Sequence, residues 1–350
     1  VAQSVEKASI LIAGGSSGSS LENRSLAMVS EYEKGGQFPA YSFAPSSGGE
    51  LYLSTMMSVL RFAPDGTLAG EIGSFGTGPG EFQAVYKVRA DARGNVYLLD
   101  YSAGKVLKYS RTGELRNEIR AGGGYPMTLA VSDDGTIAVS ETGKNIATIL
   151  AAPYTEPKQV RCPGLSLISG IYFYRGSFYA WGTEGSSGVR TVEVKTDGST
   201  AKGAFIGIPN FYAGQLTRDG SGSYYALEQT AGYLLKADAN GTVLWLNRAI
   251  SGMSGSFSNP NDLVVGPDGR IFIADMMNRR AVIVRDIPGF TPLADAAAHL
   301  ARAKKNPDRK SSAYMADLQC AAKGGSAEAA GLLADIYASL NWFDPALALL

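Results

Sequence analysis

Short runs in which apolar and polar residues alternate recur between positions 38 and 287, each one opening just past a glycine. Leu51 to Ser54 follows Gly49, Val96 to Asp100 follows Gly94, and Ile137 to Glu141 follows Gly135. Phe178 to Trp181, Tyr224 to Glu228 and Ile271 to Asp275 likewise follow Gly176, Gly222 and Gly269. Successive glycines lie 45, 41, 41, 46 and 47 residues apart. Alternation with period two buries one face of an extended strand, and a fixed spacing marks a repeated supersecondary unit.

Each unit holds four segments of strand character. In the second they are residues 85–91, 95–99, 105–109 and 114–120. Asp65-Gly66, Asp134-Gly135, Asp197-Gly198, Asp219-Gly220, Asn240-Gly241 and Asp268-Gly269 supply the positive φ that tight turns between antiparallel strands require. No helical period separates the strands, so a βαβ arrangement fails. Four short antiparallel strands at this repeat length make a propeller blade. Six units predict an all-β fold, a six-bladed β-propeller.

The sixth unit shows only three strands before Pro288-Gly289 interrupts it. An open blade would expose an unpaired edge. The apolar run at residues 25–32, ahead of the first blade, is expected to supply the missing outer strand and close the ring. The chain therefore divides into a Gly/Ser-rich lead-in at 1–24, a propeller at 25–289 and, from 291 to 350, Ala/Leu-rich segments of helical period.

Composition fits this plan. There are 43 glycines in 350 residues, an excess that turns consume, and 32 basic residues balance 32 acidic ones. Zero net charge removes the bulk electrostatic drive towards nucleic acid. No run approaches the length of a membrane helix, since Ile10-Leu11-Ile12-Ala13 ends at Gly14-Gly15. Neither nucleic acid nor direct membrane insertion is expected. The chain opens on Val1, consistent with a processed periplasmic or extracellular protein. Its two cysteines, Cys162 and Cys320, are read as separate buried thiols, with one disulfide as the alternative.

The segment Gly73-Ser74-Phe75-Gly76-Thr77-Gly78-Pro79-Gly80-Glu81-Phe82, followed by Asn95-Val96-Tyr97-Leu98-Leu99-Asp100 and Lys105-Val106-Leu107-Lys108-Tyr109, resembles the NHL-repeat family of propellers. Asn259-Pro260-Asn261-Asp262-Leu263-Val264-Val265 through Asp275 and Val282-Ile283-Val284 is similarly close. The resemblance spans the propeller, with units two and six specific and the others supporting. Ala321 to Tyr337, and Asn341 to Ala348, resemble tetratricopeptide-type helix pairs.

Candidate chemistry is sparse. The only histidine, His299, falls on a helix beyond the propeller, where it is expected to be exposed or half-buried. Ser54, Asp100, Glu141, Trp181, Glu228 and Asp275 end the six second strands. In NHL-like repeats the carboxylate there bonds backbone amides of the next turn. Asn210, Asn261 and Asp262 are the few polar residues opening inner strands, too few for a metal ring. The expectation is no catalytic residue, no metal, no cofactor and no enzymatic activity. The alternative is a calcium-dependent lactonase or esterase, which the resemblance also admits.

Met56-Met57 and Met276-Met277 occupy equivalent positions just past the second strands of units one and six. They share a face with Tyr101, Trp181 and Tyr233, and with Arg279 and Arg280. Thioethers repack readily and aromatics anchor interfaces. These nine residues are the expected surface of a protein-binding scaffold, a subunit of a larger assembly.

Overall fold

The computed structural model describes residues 26–33, 40–121, 124–184, 188–208, 211–229, 232–247, 257–286, 296–307, 309, 314, 317–318, 321–322 and 325–339. Six four-stranded antiparallel sheets are present among them. Blade 1 comprises Ser42–Pro45, Leu51–Ser54, Val59–Phe62 and Leu68–Glu71, and blade 2 Val85–Ala90, Val96–Asp100, Lys105–Tyr109 and Leu115–Arg120. Blade 3 is Pro126–Val131, Ile137–Glu141, Ile146–Leu150 and Lys158–Arg161; blade 4 is Gly170–Tyr174, Ser177–Thr183, Gly188–Val194 and Thr200–Gly207. Blade 5 runs Ala213–Arg218, Tyr224–Glu228, Leu234–Ala237 and Val243–Asn247. Blade 6 takes Pro260–Val265, Arg270–Asp275 and Arg280–Asp286 from its own repeat and Leu26–Glu33 from the start of the chain.

The early strand closes the ring as the sequence predicts. Leu26 pairs antiparallel with Asp286 and Glu33 with Arg280, so the edge of Arg280–Asp286 is covered.

The core is distributed between blades rather than gathered at one centre. Six buried apolar clusters each join one blade to the next. Phe43 and Phe272, for example, meet between blades 1 and 6 with ring centroids 6.0 Å apart. The alternation read from the sequence is the cause: successive strand residues point to opposite faces, and both faces of a blade meet a neighbour.

Among the described residues past the ring are the helices α1 (Ala296–Lys305) and α2 (Ala327–Ser339). Ala303, Tyr314, Leu318, Ala321, Ala329 and Leu333 share one apolar cluster with residues of blades 4 and 5, so the helical part rests on the propeller. His299 differs from expectation. It is buried, its Nδ1 lies 3.0 Å from Asp317, and Arg302 binds the same carboxylate. A charged neighbour pair draws the imidazole inward instead of leaving it at the surface. Cys162 is buried, which pushes its thiol up to about 11, and Cys320 lies outside the described residues.

Candidate functional site: the channel and its two mouths

The inner strands surround a central cavity of about 880 Å³. Its two ends differ by topology. At one end sit the turns joining first to second strands, here termed the turn face. At the other sit the second-to-third-strand loops and the inter-blade segments, here termed the loop face.

Behind the channel wall, the channel-lining cations Lys87 and Arg89 converge on the buried Asp262. Its carboxylate accepts two bonds from Arg89, at 2.7 and 2.9 Å, and one from Lys87 at 3.3 Å. Ser42 Oγ and the Phe43 amide add bonds at 2.6 and 3.1 Å. Burial pulls the Lys87 ammonium down to about 8, against the attraction of Asp262. Burial by itself would raise the Asp262 carboxyl, but Arg89 and Lys87 together outweigh it and hold it well below the usual carboxylate range. Asn261 is also committed, accepting from the Tyr86 hydroxyl at 3.2 Å and donating to Tyr41 O at 2.9 Å. Asn210 lies outside the described residues. Among those described, no three His, Cys, Asp or Glu side chains converge as metal ligands. A carboxylate already bonded to two cations and an amide with both ends engaged do not fit a calcium site.

The strand-ending carboxylates also serve the backbone. Asp100 accepts from the amides of Gln83, Ala84 and Ala103 at 2.9, 3.1 and 3.2 Å. Asp275 accepts from Ser258 N at 2.7 Å, and Glu228 from Gly232 N at 3.1 Å.

Apolar side chains gather on the loop face. Met57, Tyr125, Leu167, Tyr212 and Met277 are five of the seven large hydrophobic residues exposed among those described, and all five lie there. Tyr125 and Met277 are the most open, each 62% exposed. A row of rings runs from blade 1 across blade 2 to the start of blade 3. Tyr41 and Tyr86 have centroids 6.2 Å apart, Tyr86 and Tyr101 5.8 Å, and Tyr101 and Tyr125 5.4 Å.

The residues expected on this face divide. Met57, Met277 and Arg279 are exposed; Met56, Met276, Tyr101 and Tyr233 are half-buried. Two are corrected. Trp181 is only 1% exposed, because its indole packs across from Gly170, whose missing side chain makes room for it. Arg280 is only 2% exposed, drawn inward by Asp275 at 2.7 Å. Sequence reading passed over Tyr41, Tyr86, Tyr125, Leu167 and Tyr212. Tyr41, Tyr125 and Tyr212 each directly precede an inner strand, and the carbonyls of Tyr125 and Tyr212 accept from the residue after the second strand, Thr142 and Gln229, so the repeat itself held a signal for them.

No family model matches the chain, and no curated protein sequence matches it. Solved structures do. Virginiamycin B lyase from Staphylococcus aureus superposes with a TM-score of 0.54 at 12% identity, over 73% of this chain and 98% of that one. A catalytically inactive form of that lyase with quinupristin gives 0.54 at 14%, over 80% and 99%. An auxiliary nutrient binding protein from Bacteroides thetaiotaomicron gives 0.54 at 10%, over 72% and 70%. At such identities the likeness concerns the fold, and that fold carries both enzymes and binding proteins.

The expectation that this chain is not an enzyme is therefore withdrawn. It rested on the scarcity of histidine, yet lysine, tyrosine and carboxylate can also move protons. Lyases occur among the structures that share the fold.

Proposed function

We propose that the loop face is a recognition surface for a protein partner, which it engages through an extended segment laid across the row of tyrosines and the flanking methionines. One observation carries this reading: five of the seven exposed large hydrophobic residues among those described lie in loops at one end of the ring. Scattered exposed apolar residues need no explanation, whereas a grouped set marks an interaction site. Tyrosine supplies contact area at low entropic cost, and methionine adapts to the partner's shape. Repeats of NHL type and a tetratricopeptide-like tail fit a subunit of a larger assembly, in a periplasmic or extracellular setting.

Panning a displayed library of random peptides on the immobilised full chain tests the proposal. Selected peptides are expected to lose at least tenfold in affinity for the combined variant Met57→Ser, Tyr125→Ala, Tyr212→Ala, Met277→Ser. A control variant on the turn face, Asp65→Asn, should bind them as before. Undiminished binding to the combined variant, with unchanged circular dichroism, would remove the loop face from consideration.

A further inference from the structure

The opposite mouth of the channel carries a feature that the loop-face reading does not use. Arg218 ends the inner strand of blade 5, and its guanidinium carbon lies 4.3 Å from the Tyr174 ring centroid and 4.5 Å from that of Tyr224. Tyr179 stands 5.8 Å away. Stacked between rings, a guanidinium is held by its faces while its N–H groups point outward in the plane.

Among the described residues, most of those N–H groups have no partner. A guanidinium offers five donors. Arg218 Nε bonds Gly222 O at 3.1 Å, and no described carboxylate pairs with the group. Arg89, by contrast, is bound bidentately by Asp262, and Arg190 by Glu184. The nearest acid in sequence, Asp219, is spent on its own turn: Oδ1 accepts from Ser221 N, Ser221 Oγ and Ser223 N, and Oδ2 from the Tyr225 hydroxyl.

A second cation addresses the same ring. Arg175, exposed in the first turn of blade 4, lies 5.2 Å from the Tyr174 centroid and bonds Gly220 O at 2.9 Å. Like charges gathered at one ring repel each other, and an anion between them removes that cost.

A third, independent observation concerns Tyr172. It lines the channel, stacks on Tyr179 with centroids 5.3 Å apart, and is 7% exposed. Its buried hydroxyl lies near Tyr224 without a hydrogen bond of acceptable geometry, so it has no partner among the described residues. Buried polar atoms are seldom left unmatched, and an unmatched one often marks where a ligand or water binds.

We propose that the turn-face mouth between blades 4 and 5 binds the oxyanion of a small ligand, a carboxylate or a phosphate, with Arg218 as the bidentate anchor. Arg175 adds charge and the Tyr172 hydroxyl a further donor. Planar, forked donors match such oxyanions geometrically. The site lies across the molecule from the loop face, so either proposal can fail without the other.

Calorimetric titration of the full chain with sodium phosphate and with citrate, each against sodium chloride of equal ionic strength, tests it. Saturable binding of one or both is expected, and the tighter anion names the class. Arg218→Gln should weaken it at least tenfold. Arg218→Lys should weaken it too, because charge is kept but the fork is lost. Should Arg218→Gln misfold, the exposed Arg175→Gln and the near-isosteric Tyr172→Phe decide, each expected to weaken binding several-fold. No saturable binding above the chloride reference overturns the proposal, as does full affinity in the variants. Binding of a short RNA that neither small anion displaces would assign the arginines to a macromolecule and overturn it as well.

Discussion

Asp262 shows how one residue can join parts of the ring that are distant in sequence. It opens the inner strand of blade 6, yet its partners Lys87 and Arg89 lie on blade 2 and Ser42 on blade 1. Three blades are thereby tied together from the channel side. Removing one member of a buried ion pair leaves the other charge uncompensated, at a cost of about 3–5 kcal/mol. Asp262→Asn is expected to lower unfolding free energy by about that amount in urea titrations. Lys87→Met should cost less, since Arg89 still neutralises the carboxylate. The pH dependence has a definite sign. A carboxyl whose folded pKa is depressed contributes its full stability above the unfolded value of about 4, and loses it as pH falls towards the folded value. Stability measured below pH 4 should therefore fall more steeply in the parent than in Asp262→Asn. Equal slopes would show that Asp262 is not the responsible group.

At the scale of the element, pairing of large with small explains which residues reach the surface. Gly170 and Trp181 face each other across the first two strands of blade 4. A Cβ on Gly170 would lie 2.6 Å from Trp181 Cζ2, and the indole has no room to retreat. Gly170→Ala is thus expected to destabilise by about 1–3 kcal/mol through overpacking. Gly176, in the adjoining turn, differs. It needs positive φ, at 86°, but nothing lies within 4 Å of an added Cβ. Gly176→Ala should cost about 1–2 kcal/mol from backbone conformation alone. Adding Trp181→Phe, which shrinks the ring, should recover stability in Gly170→Ala and not in Gly176→Ala. Denaturant midpoints of the four variants check this.

Across the whole molecule, closure depends on the strand Leu26–Glu33, which belongs to the last blade although it precedes the first. Removing residues 1–33 would expose the edge of Arg280–Asp286 along its length. Such edges recruit other chains. The truncated protein is expected to unfold at lower denaturant and to form aggregates whose light scattering grows with concentration. Removing only residues 1–24 should do neither. If both truncations stay monomeric with the parent's midpoint, strand exchange does not close the ring.

Much of this architecture was legible in the chain because its causes are local. Alternation, Asp-Gly turns and the glycine spacing each act within a few residues, and together they specify six blades and the strand that closes them. The strand-ending Asp100 could be read as a backbone acceptor for the same reason, because one of its partners, Ala103, lies in the turn that follows it. The site obeys no such rule. Trp181 and Arg280 stand at positions that predict exposure, and a neighbouring glycine and an aspartate take them inside. Asp262 meets Arg89 across 173 residues, and the row from Tyr41 to Tyr125 draws on several strands and inter-blade segments. Sequence by itself therefore determined the blade, its turns and the number of repeats, since those follow from short-range preferences. Tertiary structure alone decided which side chains share a mouth of the channel, because that depends on how a closed ring brings distant segments together.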